Sequence, residues 1–325
     1  MKRVAIFGAG QAGAMVKTWL PGDTELLCFI DNNKEKQGLC MEGCPVLGPE
    51  EALRLQPEEI LLAMLNREAA QAVRTQLRES GFRGPCVDLE AFRTIQDVRL
   101  SALRLQAREI EERNLPGDVA ELGVYQGVFA AEINRLFPRR RLWLFDTFEG
   151  FHPRDLDMEA EQTGVRKPRK SFADTTVELV RARLPYPEQA RFVKGYFPES
   201  LQQLEGDEGC FEAMRNLHKV EKNTDKAENS SKAQRPTGTH ADLRFALVSL
   251  DPDLYAPTLA GLQYFYPRLV PGGRILIHDY TSCQFEGVKK AVDQYCRAQG
   301  LFVLPLMDLH GTAVLLKQGV ADTSS

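Results

Sequence analysis

Twice along the chain a short apolar run breaks off at a glycine turn and gives way to a stretch of helical spacing. The first instance is RVAIFGAG, Arg3 to Gly10, followed by QAGAMVKTWL; the second is DVAELGVYQG, Asp118 to Gly127, followed by VFAAEINRLF. An apolar run that feeds a helix through a tight turn is the unit of a parallel sheet, because parallel neighbours need a crossover and a helix usually supplies it. Two such starts far apart in a chain of 325 residues predict two α/β domains, since single cores divide at about this size.

The first series continues with LLCFID (Leu26 to Asp31), EILLAML (Glu59 to Leu65) and CVDL (Cys86 to Leu89), and REAAQAVRTQLRESG has helical spacing and a glycine stop. A small parallel α/β domain is therefore expected over 1–90. Residues 91–114 read as a linking helix, with Leu100, Leu103, Ala107 and Ile110 on one stripe and Pro116-Gly117 beyond its end. The second series occupies 115–320: RLWLFDTFEGF, ARFVKGYFPESL, RFALVSLDPDLY and GGRILIHDY are its later strands. LFVLPLM and GTAVLLK, around Asp308 to Gly311, read as a hairpin, so the expected sheet has seven strands, mostly parallel, with an antiparallel last strand. From about 221 to 242 there is no large apolar residue, and such a segment cannot bury enough area to offset its ordering, so a disordered insertion is expected there.

Charge excludes some partners. With 41 basic against 45 acidic residues the formal charge is -4, so no global field draws the protein to nucleic acid or to an anionic membrane. The start of the sequence enters a strand directly, without an apolar signal core, and no run is long enough to span a bilayer, so a cytoplasmic protein is expected. Seven scattered cysteines, Cys40 and Cys44 being the close pair, read as ordinary thiols rather than as a disulfide framework or half a zinc site. Assembly as a homo-oligomer is expected.

The turn Gly8-x-Gly10-x-x-Gly13 lies between a strand and a helix, and Asp31 closes the next strand where an acid reaches a ribose. A nucleotide site is expected at Gly8, Gly10, Gly13 and Asp31, although any tight strand-to-helix turn favours glycine. FIDNNKEKQG followed by GCPVLGPEEAL resembles the nucleotide-binding N-terminal domain of some bacterial sugar-modifying enzymes.

The second turn differs. Glu121, Gly123 and Gly127 form an acid-x-Gly-x-x-x-Gly pattern with no third glycine to open the helix for a diphosphate. S-adenosylmethionine carries an amino acid and a sulfonium instead of phosphate, and suits a close backbone at Gly123 and Gly127 with a carboxylate at Glu121. Asp146, one strand later, is placed to accept ribose hydroxyls. Either acid alone reads equally well as a cap or a surface charge; the pair at successive strand ends points to a cofactor.

The run PGDVAELGVYQGVFA, then LFDTFEGF, FADTTVELVRARL, KGYFPESL, SLDPDLYAPTLAGLQYFYPRLVPGGRILIHDY and GVKKAV resembles the macrocin-type sugar O-methyltransferase family of bacteria, from about Arg108 to Lys317 apart from the polar insertion. The resemblance implies a Rossmann-like methyltransferase domain that takes S-adenosylmethionine and methylates a hydroxyl of a sugar or glycosylated natural product. It further implies a divalent metal, magnesium or manganese, and a cofactor lining of Glu121, Gly123, Tyr125, Gly127, Asp146, Thr147, Gly195, Tyr196 and Phe197.

Asp251 and Asp279 end neighbouring strands on one rim, and hard oxygen ligands of this kind suit magnesium. Where many relatives carry two adjacent acids this chain has His278 then Asp279, so His278 is expected as a softer ligand or as a general base oriented by an aspartate, the alternative being a buried histidine bonded to backbone. Asp251, His278 and Asp279 are thus the expected catalytic and metal residues. The long polar segment FHPRDLDMEAEQTGVRKPRKSF reads as a lid, and its basic cluster at Arg166, Lys167, Arg169 and Lys170 suits a phosphate-bearing acceptor. Two other readings stand beside methyl transfer. One is a nicotinamide-dependent sugar-nucleotide oxidoreductase or epimerase using the first glycine turn, although no tyrosine here is followed four positions later by lysine; the other is a non-catalytic cofactor-binding module.

Overall fold

The computed structural model describes residues 1–64, 66–89, 98–204, 243–282, 284–308 and 310–319. The insertion expected at 221–242 and the start of the expected linking helix, 91–97, lie outside the described residues. The chain divides into Met1–Ser101 with Met307–His310, and Ala102–Leu306 with Gly311–Ser325.

In the first unit, strand β1 (Lys2–Phe7) buries every residue from Val4 onward. It leads through the glycine turn into helix α1 (Gln11–Thr18), then β2 (Thr24–Ile30), β3 (Cys40–Met41), β4 (Cys44–Leu47), helix α2 (Pro49–Arg54), β5 (Glu59–Leu62), helix α3 (Arg67–Glu79) and β6 (Cys86–Asp88). The sheet order is β3-β4-β2-β1-β5-β6, parallel except for the β3–β4 pair. Helix α3 starts at Asn66, whose side chain accepts from the Ala69 N–H at 3.0 Å, and it buries Ala70, Val73 and Leu77 on one stripe. The short β3–β4 hairpin was not anticipated: two residues of strand leave too little pattern to detect.

Helix α4 (Val98–Glu112) buries Leu103, Ala107 and Ile110. The second unit then runs β7 (Asp118–Leu122), α5 (Val128–Leu136), β8 (Leu142–Asp146), α6 (Pro153–Thr163), α7 (Val177–Arg183), β9 (Ala190–Lys194), β10 (Phe245–Leu250), α8 (Tyr255–Arg268), β11 (Leu269–Ile277), α9 (Glu286–Gln299), β12 (Leu304–Pro305) and β13 (Ala313–Leu316). Its seven strands lie in the order β12-β13-β11-β10-β7-β8-β9, and β13 is antiparallel to both of its neighbours, as the hairpin reading expects. Strand β10 is buried along its whole length, which a parallel strand covered on both faces requires.

Register levels the strand ends. Phe145, Leu122, Leu250 and Ile277 stand opposite one another across β8, β7, β10 and β11. The next residues, Asp146, Gly123, Asp251 and His278, therefore emerge along one rim. Successive strands lie to one side of β7 as far as β9 and then to its other side from β10 onward, so the chain reverses direction between β7 and β10. That is where an open parallel sheet forms a crevice.

Candidate active site

Gly123, the first residue beyond β7, has φ +84, and a Cβ there would penetrate the Asp251 carbonyl. Only glycine lets the β7 turn lie against the start of the β10 loop. The turn is latched by Asp146: one carboxylate oxygen accepts from Val124 N–H at 2.7 Å and Tyr125 N–H at 2.9 Å, the other from Phe148 N–H at 2.7 Å, while the Thr147 hydroxyl donates to Gly150 O at 2.6 Å. Three backbone donors leave one acceptor site of the carboxylate available. Asp146 thus shapes the turn through its own side chain, a role the expected ribose contact does not describe.

Gly123, Tyr125, Asp146 and Thr147 line one wall of a cleft of about 590 Å3, counted with its open mouth. Gly195, Tyr196 and Phe197, at the end of β9, line another, and Asp251 with Asp253 closes the end beside β10. Glu121 and Gly127 stand apart from this lining. Glu121 is 1% exposed on β7 and accepts from the Ser249 hydroxyl at 3.2 Å, while Gly127 caps α5 with its Cα packed against Val180.

Asp251, Asp253 and Asp279 present carboxylate oxygens that all lie within 4.8 Å of one another. Asp253 and Asp279 hold left-handed backbone conformations, φ +62 and +56, which is how residues beyond two strand ends are turned toward one point. Burial, and then the Asp251 and Asp279 charges, push the Asp253 carboxyl well above the usual carboxylate range, with Lys167 opposing. Three hard oxygens gathered against their own repulsion fit a divalent cation.

Asp253 is the residue that sequence reasoning missed. Its signal was the Asp-x-Asp spacing of SLDPDLY, in which Pro252 made the first acid look like the end of the motif. His278 is 2% exposed, its ring meets Phe129 edge-on at 5.4 Å, and its Nδ1 is 3.9 Å from Asp251 Oδ2, beside the group of three carboxylates.

The segment read as a lid contains helix α6, whose buried face is Asp155, Leu156 and Glu159. Glu159, 1% exposed, accepts from Tyr255 N–H at 2.7 Å and also from the Gly287 N–H, so one carboxylate sits at the first turns of both α8 and α9. Burial raises its carboxyl above the ordinary range while those two bonds oppose it. Of the basic cluster, Arg166 pairs with Asp157 at 3.0 Å, and Lys167 donates to Gln284 O and lies 4.7 Å from the Phe285 ring centre. Arg169 and Lys170 are exposed.

The first unit has its own turn. Asp31 accepts from Ala9 N–H at 3.0 Å and Asn33 N–H at 2.9 Å, and Lys36 Nζ lies 3.1 Å from Asp31 and 2.8 Å from Ala9 O. Gly13 is fixed by close packing, since a Cβ there would overlap Gly8 O, while Gly10 faces open space. A wider, mainly apolar cavity lies toward the opposite ends of these strands, with Val4, Val16, Trp19 and Leu61 in its wall. Lys2, Glu59, Arg99, Asp308 and His310 also line it.

A family model described as Macrocin-O-methyltransferase (TylF) matches residues 49–209 and 235–318, more than half of the chain. The chain is similar to the 8-demethyl-8-(2,3-dimethoxy-alpha-L-rhamnosyl)-tetracenomycin-C 4'-O-methyltransferase of Streptomyces olivaceus, 27% identical over 237 residues that make up 70% of this chain and 76% of that protein. It is similar also to the mycinamicin III 3''-O-methyltransferase of Micromonospora griseorubida, 28% identical over 240 residues, 70% of this chain and 77% of that one. Among solved structures, the O-methyltransferase NovP aligns over 68% of this chain and 80% of its own at 21% identity, with a TM-score of 0.46. No helix among the described residues is long and apolar enough to cross a membrane.

Proposed function

Because the chain belongs to the macrocin O-methyltransferase family, we propose that it moves a methyl group from S-adenosylmethionine to a hydroxyl of a sugar or glycosylated natural product in the cleft of the second unit, with a divalent cation at Asp251, Asp253 and Asp279. One observation carries the assignment. At the point where the sheet reverses direction, the turn latched by Asp146 faces one cleft with Asp251 and Asp253, and Asp279 brings a carboxylate oxygen within 4.8 Å of those two.

S-adenosylmethionine supplies an electrophilic methyl carbon on a sulfonium. The Gly123–Tyr125 turn would offer close backbone to its amino-acid end, and Gly195 to Phe197 would hold the base end. As the acceptor oxygen takes the methyl group, its hydroxyl proton has to leave. A divalent cation held by Asp251, Asp253 and Asp279 would supply Lewis acidity that lowers the pKa of an acceptor hydroxyl, and the raised proton affinity that burial and its neighbours' charges give the Asp253 carboxylate suits it to take the proton where it is not a ligand. His278 acts in this reading through Asp251, whose carboxylate it approaches from the buried side, so it is a positioning residue.

Methyl-labelled S-adenosylmethionine should transfer label to members of a panel of deoxysugar glycosides and nucleotide-linked deoxysugars, with activity lost in chelator and restored by magnesium or manganese. Asp251→Asn and Asp253→Asn should still bind S-adenosylhomocysteine while turnover falls by roughly two to four powers of ten. Full turnover in excess chelator would remove the cation from the mechanism, and failure of the wild type to bind S-adenosylhomocysteine would remove the assignment as a whole.

A further inference from the structure

Asp155 has an unusual setting for a carboxylate on the first turn of a helix. It is 6% exposed and lines the cleft. The Tyr196 hydroxyl donates to Oδ1 at 3.0 Å, and among the described residues Oδ2 receives no hydrogen bond. Oδ2 is not among the fully buried unpartnered atoms, so it is open on the cleft side, where a ligand's donor can reach it.

The walls around it are flat rings. The His152 ring lies 4.1 Å from that of Tyr196 at an interplanar angle of 31°, and Phe151 and Phe172 meet edge-on at 5.3 Å beside them. All four rings belong to the cleft lining. Tyr196 is fixed from outside by Arg154, whose guanidinium lies 5.6 Å from the ring centre and pairs with Glu199. Strand β9, which carries this end of the cleft, is three strands from β10, roughly 14 Å at the usual spacing. Tyr196, beyond β9, and the aspartates beyond β10 thus belong to different ends of the rim, and α6 carries Asp155 between them, its Glu159 bonded to the first residue of α8.

We propose that Asp155, held by Tyr196, is the residue that reads the exocyclic amine of the cofactor's purine, so that the cleft selects adenine over a purine with a carbonyl at that position. The inference rests on the reading of the cleft as a methyl-donor site. Planar rings suit a planar base, and an amine supplies the donor that Oδ2 does not receive from the protein. Burial, only partly offset by the Tyr196 hydroxyl, pushes the Asp155 carboxyl up to about 7. A donor at Oδ2 favours the ionised form that accepts it.

The test compares S-adenosylhomocysteine with S-inosylhomocysteine, which differs by a carbonyl in place of the amine. Wild type should bind the adenosyl compound about 10- to 100-fold more tightly, the range for one hydrogen bond to a charged group. In Asp155→Asn the side-chain amide can turn its NH2 to a carbonyl, so the ratio should collapse toward one or invert, with circular dichroism confirming the fold. Tyr196→Phe, which frees the carboxylate to rotate, should reduce the ratio without inverting it. Wild type binding both compounds equally, or an unchanged ratio in Asp155→Asn, would overturn this assignment and leave the methyl-donor reading intact. Failure to bind either compound would overturn both.

Discussion

The two units place an aspartate at the same point of the same kind of turn and treat its charge in opposite ways. In the first unit Asp31 latches the glycine turn and Lys36 neutralises it, and Asp88, at the end of β6, is likewise matched by Arg74 at 2.9 Å. In the second, Asp146 latches its turn with three backbone N–H groups, and three further aspartates converge along the rim. Acids that carry their own cation are content as they stand. Acids gathered against repulsion store an electrostatic cost that a positively charged ligand, a sulfonium or a metal ion, can recover. The same backbone device thus serves as closed scaffold in one unit and as receptive surface in the other.

The contrast breaks most sharply at the glycines. Gly123→Ala drives a Cβ into the Asp251 carbonyl at a positive φ, and should cost about 3 to 5 kcal/mol together with loss of S-adenosylhomocysteine binding. Gly10→Ala meets nothing within 4 Å at an extended backbone, and should cost less than about 1 kcal/mol. The chain has two tryptophans, Trp19 in the first unit and Trp143 in the second, so single-tryptophan backgrounds report each unit in a urea titration. Equal losses at the two glycines would erase the distinction.

A smaller effect follows from Asp155, an acid without a matched cation. Its carboxyl is raised from 3.8 to about 7, by burial first and despite the Tyr196 bond. Below pH 3.8 the group is protonated whether folded or unfolded and costs nothing. As pH rises from 3.8 to about 7 the unfolded chain ionises and the folded one does not, so stability falls; above 7 the loss is constant. Asp155→Asn should therefore be more stable than wild type at pH 8 by about 2 to 4 kcal/mol, a gain that disappears near pH 4. A pH-independent difference in melting temperature would show that the carboxyl carries no such cost.

Lys36→Ala should show the smallest effect. The pair with Asp31 is half exposed, and its removal should cost less than about 1 kcal/mol and leave S-adenosylhomocysteine binding unchanged. A larger loss would mean that the first turn depends on neutralisation more than on its backbone latch.

Much of this arrangement was legible in the sequence because strand ends are marked by residues with few other uses: glycines at φ that other residues avoid, and acids where apolar runs stop. What was not legible depended on geometry beyond the strand. Asp253 joins the rim through a left-handed residue after a proline, and the burial of His278 against Phe129 depends on a helix far from it in the sequence. Helix α6 read as a polar lid because two of the three residues on its buried face are carboxylates, which defeats an amphipathic search. The marks it did carry were Pro153 in its first turn and Gly164 in the left-handed position after its last.

Glu159 has a consequence for anyone who would re-engineer what the cleft accepts. The segment from 151 to 164 carries Phe151, His152 and Asp155 of the cleft border, and it is the natural piece to exchange between relatives. Yet its single buried glutamate is plugged into the starts of α8 and α9, against a glycine, Gly287, that leaves it room. A transplant that brings the border without the plug, or that meets a bulkier residue at 287, would arrive with its anchor missing or its socket filled. Successful chimeras should therefore exchange 151–164 and the α9 start as one cassette.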